Sequence, residues 1–128
     1  MFRNIIRGVH ALQGTLALFV AAGIFLDPAR IGAQLGLSPI GELGLATMRA
    51  DLGSLFAGAG LFMLAAAWRG ERWFLIPPIV FTGIALAARA VSITQTGVEP
   101  ELIQPIVVEA VTIAILFTGF ALLSPASK

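Results

Sequence analysis

The sequence predicts an all-α membrane protein, a four-transmembrane-helix bundle with a short interfacial helix after the first span. Two observations support this fold class. Of the 128 residues, 58% are hydrophobic and only 12% are charged, whereas a soluble domain keeps about a quarter of its residues charged. Four segments also reach the roughly 20 apolar residues that a helix needs to cross a bilayer core of about 30 Å. We therefore expect a single membrane domain over residues 1–128.

The four predicted spans are the apolar runs between turn residues. They cover approximately residues 5–26, 41–68, 73–93 and 102–123. Asp27 and Pro28 have the residue types of a helix N-cap and a first helical position. A short amphipathic helix is therefore predicted over residues 29–37, lying at the membrane surface. Trp68 and Trp73 flank the next loop, as is typical of aromatic residues at membrane surfaces.

The distribution of basic residues predicts the orientation. With four spans, the two termini and the loop between the second and third spans lie on one side of the membrane. That side holds Arg3, Arg7, Arg69, Arg72 and Lys128. Because cytoplasmic segments carry an excess of Lys and Arg, we predict that both termini are cytoplasmic. The alternative, in which residues 1–23 form a cleavable signal peptide, is less favoured because the apolar run continues to Leu26.

The composition excludes several classes of function. A net charge of +1 leaves no basic surplus for binding nucleic acid. The chain has no cysteine and one histidine, so we expect neither a metal nor a cofactor. His10 shares a helix stripe with Gly14, Ala17 and Ala21, and we interpret it as a packing residue rather than a haem or metal ligand. The expected partners are membrane lipid and a lipophilic small molecule, and homo-oligomerisation is left open.

Four charged residues lie inside the predicted spans: Arg49, Asp51, Arg89 and Glu109. Each charge at the centre of a span costs at least about 2.5 to 3.5 kcal/mol on insertion scales. A rise of 1.5 Å per residue places these residues roughly 6 to 12 Å below the helix ends at the outer surface. They thus share the outer half of the membrane, and their charges sum to zero. This grouping favours a polar centre with a defined role.

The helical faces suggest how the four charges are paired. Arg49 and Asp51 point about 200° apart, on either side of a stripe of small residues that would let another helix approach closely. That stripe consists of Ala50, Gly53, Ala57 and Gly60. We hypothesise that Arg49 pairs with Glu109 and Asp51 with Arg89, although the sequence allows the crossed pairing equally. Any of the four side chains facing lipid without a partner would contradict this hypothesis.

The charged cluster supports a binding function first. An arginine can hold an anionic head group through bidentate hydrogen bonds, so we expect a lipophilic molecule whose anionic or polar head binds Arg49 and Arg89. Gln13, Gln104 and Ser92 are candidate supporting residues. One alternative is a membrane enzyme, for example an isomerase, with Glu109 as acid or base. A second is a structural or accessory subunit whose ion pairs only fix helix register.

Several short motifs resemble a known family. They are Asp27-Pro28, residues 48–53, residues 58–62, Ala88-Arg89-Ala90, Gly97 and Glu109. Together they resemble the short four-helix bacterial membrane proteins of domain of unknown function 4345 (DUF4345), although Leu52 stands where that family often has an aromatic residue. The resemblance implies a bacterial inner-membrane protein of uncharacterised activity. The layout is also similar to that of DoxX-like proteins, some of which accompany quinone-linked oxidoreductases.

Overall fold

The structure, a computed structural model, consists of five helices within residues 1–125, the part of the chain that it describes. They are α1 (Phe2–Leu26), α2 (Pro28–Gln34), α3 (Gly41–Arg69), α4 (Arg72–Thr96) and α5 (Pro100–Leu122). All of them except α2 are long and apolar enough to cross a membrane. The predicted all-α fold class is confirmed. Lys128, one of the basic residues behind the predicted orientation, lies outside the described residues.

Local turn chemistry sets the helix boundaries. Asp27 is the N-cap of α2, because its Oδ1 accepts a hydrogen bond from the backbone N–H of Arg30 at 3.1 Å. Pro28 is the first residue of α2, as predicted, and the helix ends at Gln34, three residues before the predicted end at Leu37. Gly70 follows α3 with a φ of 71°, a left-handed conformation that glycine adopts without a Cβ clash. Short loops therefore reverse the chain at these points.

Glycines bring α1 and α3 into backbone contact. A Cβ placed on Gly14 would lie 2.8 Å from the carbonyl oxygen of Gly60, and a Cβ on Gly60 would lie 2.8 Å from that of Gly14. Both glycines belong to small-residue stripes seen in the sequence. Helices in lipid associate largely through close packing of this kind. The α1–α3 contact is the most extensive in the fold.

The hydrophobic core cluster lies in one half of the bundle, which we call the termini half, while Ala21, Ile24 and Met48 are buried in the other half. The core cluster comprises Ile6, Met63, Ala66, Leu75, Leu116 and Leu123, all near the ends of their helices where the termini lie. His10 is fully buried in the same half. Its Nε2 lies against Gly119 so closely that no side chain fits there, which joins α1 to α5. His10 is therefore a packing residue.

Hydrogen bonds close this end of the molecule. Arg7 donates from Nε to the carbonyl of Ala67 and from Nη2 to that of Trp68, each at 2.6 Å. These are carbonyls of the last turn of α3, which have no partner within the helix. Arg3 Nη2 donates to Ser124 Oγ at 2.6 Å, and the Ser124 backbone pairs with the loop between α3 and α4. Both ends of the described chain and this loop thus lie together, as four spans require.

The Gly14 contact gives a first testable prediction. Because the added methyl of Gly14→Ala would meet the backbone of α3 at Gly60 and Leu64 as well as the Leu64 side chain, we expect the variant to lose about 1 to 3 kcal/mol of stability. The midpoint of thermal unfolding in detergent measures the loss.

Gly58→Ala is the matched control for this prediction, since no heavy atom lies within 4 Å of the added methyl. The control should keep or raise the midpoint, because alanine favours a helix over glycine. An unchanged midpoint for Gly14→Ala would contradict the tight contact.

Candidate functional site

Residues 48–53 of α3 form a turn of π-helix, which the sequence reasoning did not predict. This wider turn carries Arg49 and Asp51, two of the candidate site residues. The Ser54 hydroxyl lies within hydrogen-bond distance of the carbonyls of Ala50 and Asp51, and the Ser54 backbone N–H also donates to the carbonyl of Asp51. Single π turns inside α-helices occur frequently at functional sites.

Two neighbouring helices hold the π turn in place. Met48, its first residue, is buried against Gly32 of α2, where a Cβ would collide with the methionine methyl. Gly53, its last residue, lies under the ring of Phe25 in α1, and a Cβ there would be 2.7 Å from the ring. Gly32 therefore allows α2 to pack closely on the first residue of the π turn, and Gly53 allows α1 to pack closely on its last residue.

Arg49 binds the end of α1. Its Nε donates to the carbonyl oxygen of Phe25 at 3.1 Å, a contact that suits a cation because helix C-termini carry partial negative charge. The Arg49 side chain is exposed, and its Nη1 and Nη2 groups donate no hydrogen bond to any described residue. Asp51 is also exposed, and its carboxylate forms no ion pair or hydrogen bond within residues 1–125.

Arg89 and Glu109 form an ion pair between α4 and α5. The Nε of Arg89 lies 2.8 Å from one carboxylate oxygen of Glu109 and 2.9 Å from the other. These distances are those of charge-assisted hydrogen bonds. The Glu109 side chain is 17% exposed and that of Arg89 34% exposed. The two Nη groups of Arg89 have no hydrogen-bond partner in the described part of the chain.

The preferred pairing, Arg49 with Glu109 and Asp51 with Arg89, is wrong. Glu109 binds Arg89 instead, because α4 and α5 pack directly on one another, whereas residues 48–53 pack mainly on α1 and α2. Asp51 has no partner among the described residues, so the four charges do not form two balanced pairs. Their helix positions still place all four in the half opposite the termini, which we call the far half.

The candidate supporting residues are not gathered at these charges. Gln13 Oε1 lies 3.0 Å from His10 Nδ1 on the same helix. Ser92 donates to the carbonyl of Ala88 at 3.1 Å, one turn back in α4. Gln104 is exposed, and its side chain makes no hydrogen bond within residues 1–125. The structure therefore gives Gln13 and Ser92 partners on their own helices and gives Gln104 none among the described residues.

Two surface grooves lie away from the four charges. One, of about 570 Å³, is formed by α2 and the start of α3 at the far end. The other, of about 710 Å³, lies between α1 and α3 in the termini half. Neither is lined by any of the four charged residues. Residues 1–125 contain no group of three or more His, Cys, Asp or Glu side chains placed to hold a metal ion.

The Arg89–Glu109 pair gives a second testable prediction. Arg89→Gln leaves the Glu109 carboxylate without an opposite charge, and Glu109→Gln does the same to the Arg89 guanidinium. We therefore expect each variant to lower the free energy of unfolding by about 1 to 3 kcal/mol. The double variant removes both charges, so it should recover most of the free energy of unfolding that either single variant loses. A double-mutant cycle on thermal unfolding in detergent measures the coupling. A coupling energy near zero would show that the pair does not stabilise the fold.

Comparisons of the chain with known protein families, with curated proteins and with solved structures find no match. The function of the charged residues is therefore inferred from their own geometry.

Proposed function

We propose that this integral membrane protein binds a lipophilic molecule with an anionic head in its far half. Arg49 is the main contact for the head, and Arg89 is the second. The proposal is supported chiefly by the unsatisfied guanidinium of Arg49. A polar group within the hydrocarbon needs a partner, and intramembrane charges usually mark functional sites.

The hydrogen-bonding capacity of Arg49 fits an anionic head. Among the described residues only its Nε has a partner, the Phe25 carbonyl, and this contact fixes the guanidinium and leaves its Nη1 and Nη2 groups for a ligand. Arginine binds carboxylates and phosphates with two parallel hydrogen bonds of this geometry. Holding the side chain in advance also reduces the entropy lost on binding.

The far half offers apolar surface for a tail. Neither residues 79–96 of α4 nor residues 100–115 of α5 include a buried side chain. The α1–α3 pair and the α4–α5 pair therefore share a buried core only in the termini half. A lipophilic tail entering from the bilayer would cover apolar faces that these helices leave exposed.

Glu109 has a positioning role in this proposal. Both of its oxygens face the Nε of Arg89, which fixes the guanidinium and leaves the Nη groups for a ligand. The same contacts give less support to the alternative of an enzyme with Glu109 as acid or base, since neither carboxylate oxygen is left without a donor. An accessory subunit would need only the ion pair and the Arg49–Phe25 contact, and it would leave the Nη groups of Arg49 without a role.

The proposal includes a location and a family. The arginines at the termini end favour an orientation with both termini in the cytoplasm, and the resemblance to DUF4345 proteins favours a bacterial inner membrane. The motifs that resemble DUF4345 proteins include residues 48–53, Arg89 and Glu109, which are the residues of this site. Membership of that family is part of the proposal.

The role of Arg49 gives a third testable prediction. Protein extracted from membranes in mild detergent should retain an anionic amphiphile that native mass spectrometry detects. Arg49→Gln should retain much less of it, by about tenfold, because a charge-assisted contact contributes about 1.5 to 3 kcal/mol. Arg49→Lys should keep part of the binding, since it keeps the charge without the planar donors.

Arg30→Gln is the matched control, because Arg30 is an exposed arginine at the same end of the molecule but on α2. It should retain the amphiphile like the wild type. Equal retention by Arg49→Gln and wild type, or no retained anionic molecule in either, would refute the proposal.

A further inference from the structure

The groove of about 710 Å³ lies on the membrane-facing surface between α1 and α3, in the termini half. We call it the termini groove. On α1 it is lined by Asn4, Arg7, Gly8 and Ala11, and on α3 by Leu61, Leu64, Ala65, Ala67 and Trp68. Its size falls within the range of ligand pockets, about 300 to 1,000 Å³. The function proposed above does not involve it.

The termini groove has an apolar body. Leu61, Leu64 and Trp68 provide its largest apolar side chains, and Gly8 and Ala11 leave space beside them. A Cβ on Gly8 would meet no heavy atom within 4 Å, so this helix position opens directly onto the groove. Towards the bilayer centre the space narrows, because α1 and α3 touch at Gly14 and Gly60.

The end of the groove nearest the membrane surface is polar and basic. Asn4 and Arg7 lie one turn apart on α1, and Arg3 precedes them at the same helix end. Arg7 is fixed by the two carbonyls that it binds at 2.6 Å. Within the described residues, Glu71 is the only acidic side chain at this end, and it pairs with Arg69 at 3.2 Å. The mouth of the groove therefore keeps a positive charge.

We infer that the termini groove binds an anionic phospholipid of the adjoining leaflet. An acyl chain lies along the apolar body, and the phosphate meets Arg7, Arg3 and Asn4 at the membrane surface. Basic side chains next to a membrane attract anionic lipids, and exposed tryptophans such as Trp68 favour the head-group depth. Because the mouth of the groove is positively charged, we expect it to bind an anionic lipid more tightly than a zwitterionic one.

Gly8→Leu tests the groove, because the new side chain would fill space that a lipid chain uses. It should keep the fold, since a Cβ at this position meets no heavy atom within 4 Å and leucine favours a helix over glycine. Gly58→Leu is the matched control, because Gly58 also faces open space on a helix but does not line the groove.

The experiment uses the full chain in nanodiscs made of equimolar phosphatidylglycerol and phosphatidylcholine with identical acyl chains. Native mass spectrometry counts the lipids that remain bound. We expect wild type and Gly58→Leu to retain phosphatidylglycerol in preference to phosphatidylcholine, and Gly8→Leu to lose most of the bound phosphatidylglycerol.

Arg3→Gln should reduce the preference for phosphatidylglycerol by about fivefold, the effect of one basic side chain near the surface. Glycerol phosphate without acyl chains should not compete, which separates a lipid site from a phosphate site.

Three results would overturn the inference: equal retention of both lipids, undiminished retention in Gly8→Leu, or competition by glycerol phosphate. Gly8→Leu in the Arg49→Gln background separates this site from the far-half site, since the loss of phosphatidylglycerol that Gly8→Leu causes should not depend on Arg49. Each proposal can thus fail without the other.

Discussion

The backbone contact of α1 with α3 at Gly14 and Gly60 determines how the rest of the bundle is arranged. Lipid tails are as apolar as leucine side chains, so helices in a bilayer gain little from burying apolar surface and depend on close packing. The second close contact, His10 against Gly119, joins α5 to this pair. Both contacts need a glycine, so the positions of Gly14, Gly60 and Gly119 determine where α1 packs closely on α3 and α5.

These contacts make the bundle asymmetric along the membrane normal. The core cluster and the hydrogen bonds of Arg7 and Arg3 lie in the termini half. In the far half, α4 and α5 are joined by the Arg89–Glu109 pair but bury no side chain. The α4–α5 pair is therefore joined to the rest of the bundle by packing in the termini half and held by a polar contact in the far half, where α1, α2 and α3 still pack around Met48 and Gly53. Within residues 1–125, the Nη groups of Arg49 and Arg89 that make no hydrogen bond lie in the half where α4 and α5 bury no side chain.

The arginines at the two ends work in different surroundings. Arg7 and Arg3 lie at the membrane surface, where water and salt weaken electrostatic attraction. Arg49 and Arg89 lie within spans, where attraction is stronger but an unpaired charge is more costly. A head group bound in the far half would supply a partner that Arg49 lacks among the described residues, whereas one bound at the termini end would add to the hydrogen bonds that Arg7 and Arg3 already make. The two proposed sites thus differ in physical role although both use arginine.

The sequence by itself determined the number and approximate bounds of the spans, the Asp27–Pro28 start of α2 and the four charges in the far half, because hydropathy, capping chemistry and helical rise are local properties. It also indicated the small-residue stripes that include Gly14 and Gly60. Only the tertiary structure decided that Glu109 binds Arg89, since the pairing depends on which helices are neighbours. It likewise decided the π turn at residues 48–53 and the contact of Arg49 with Phe25, because these depend on how α1 and α2 pack against α3.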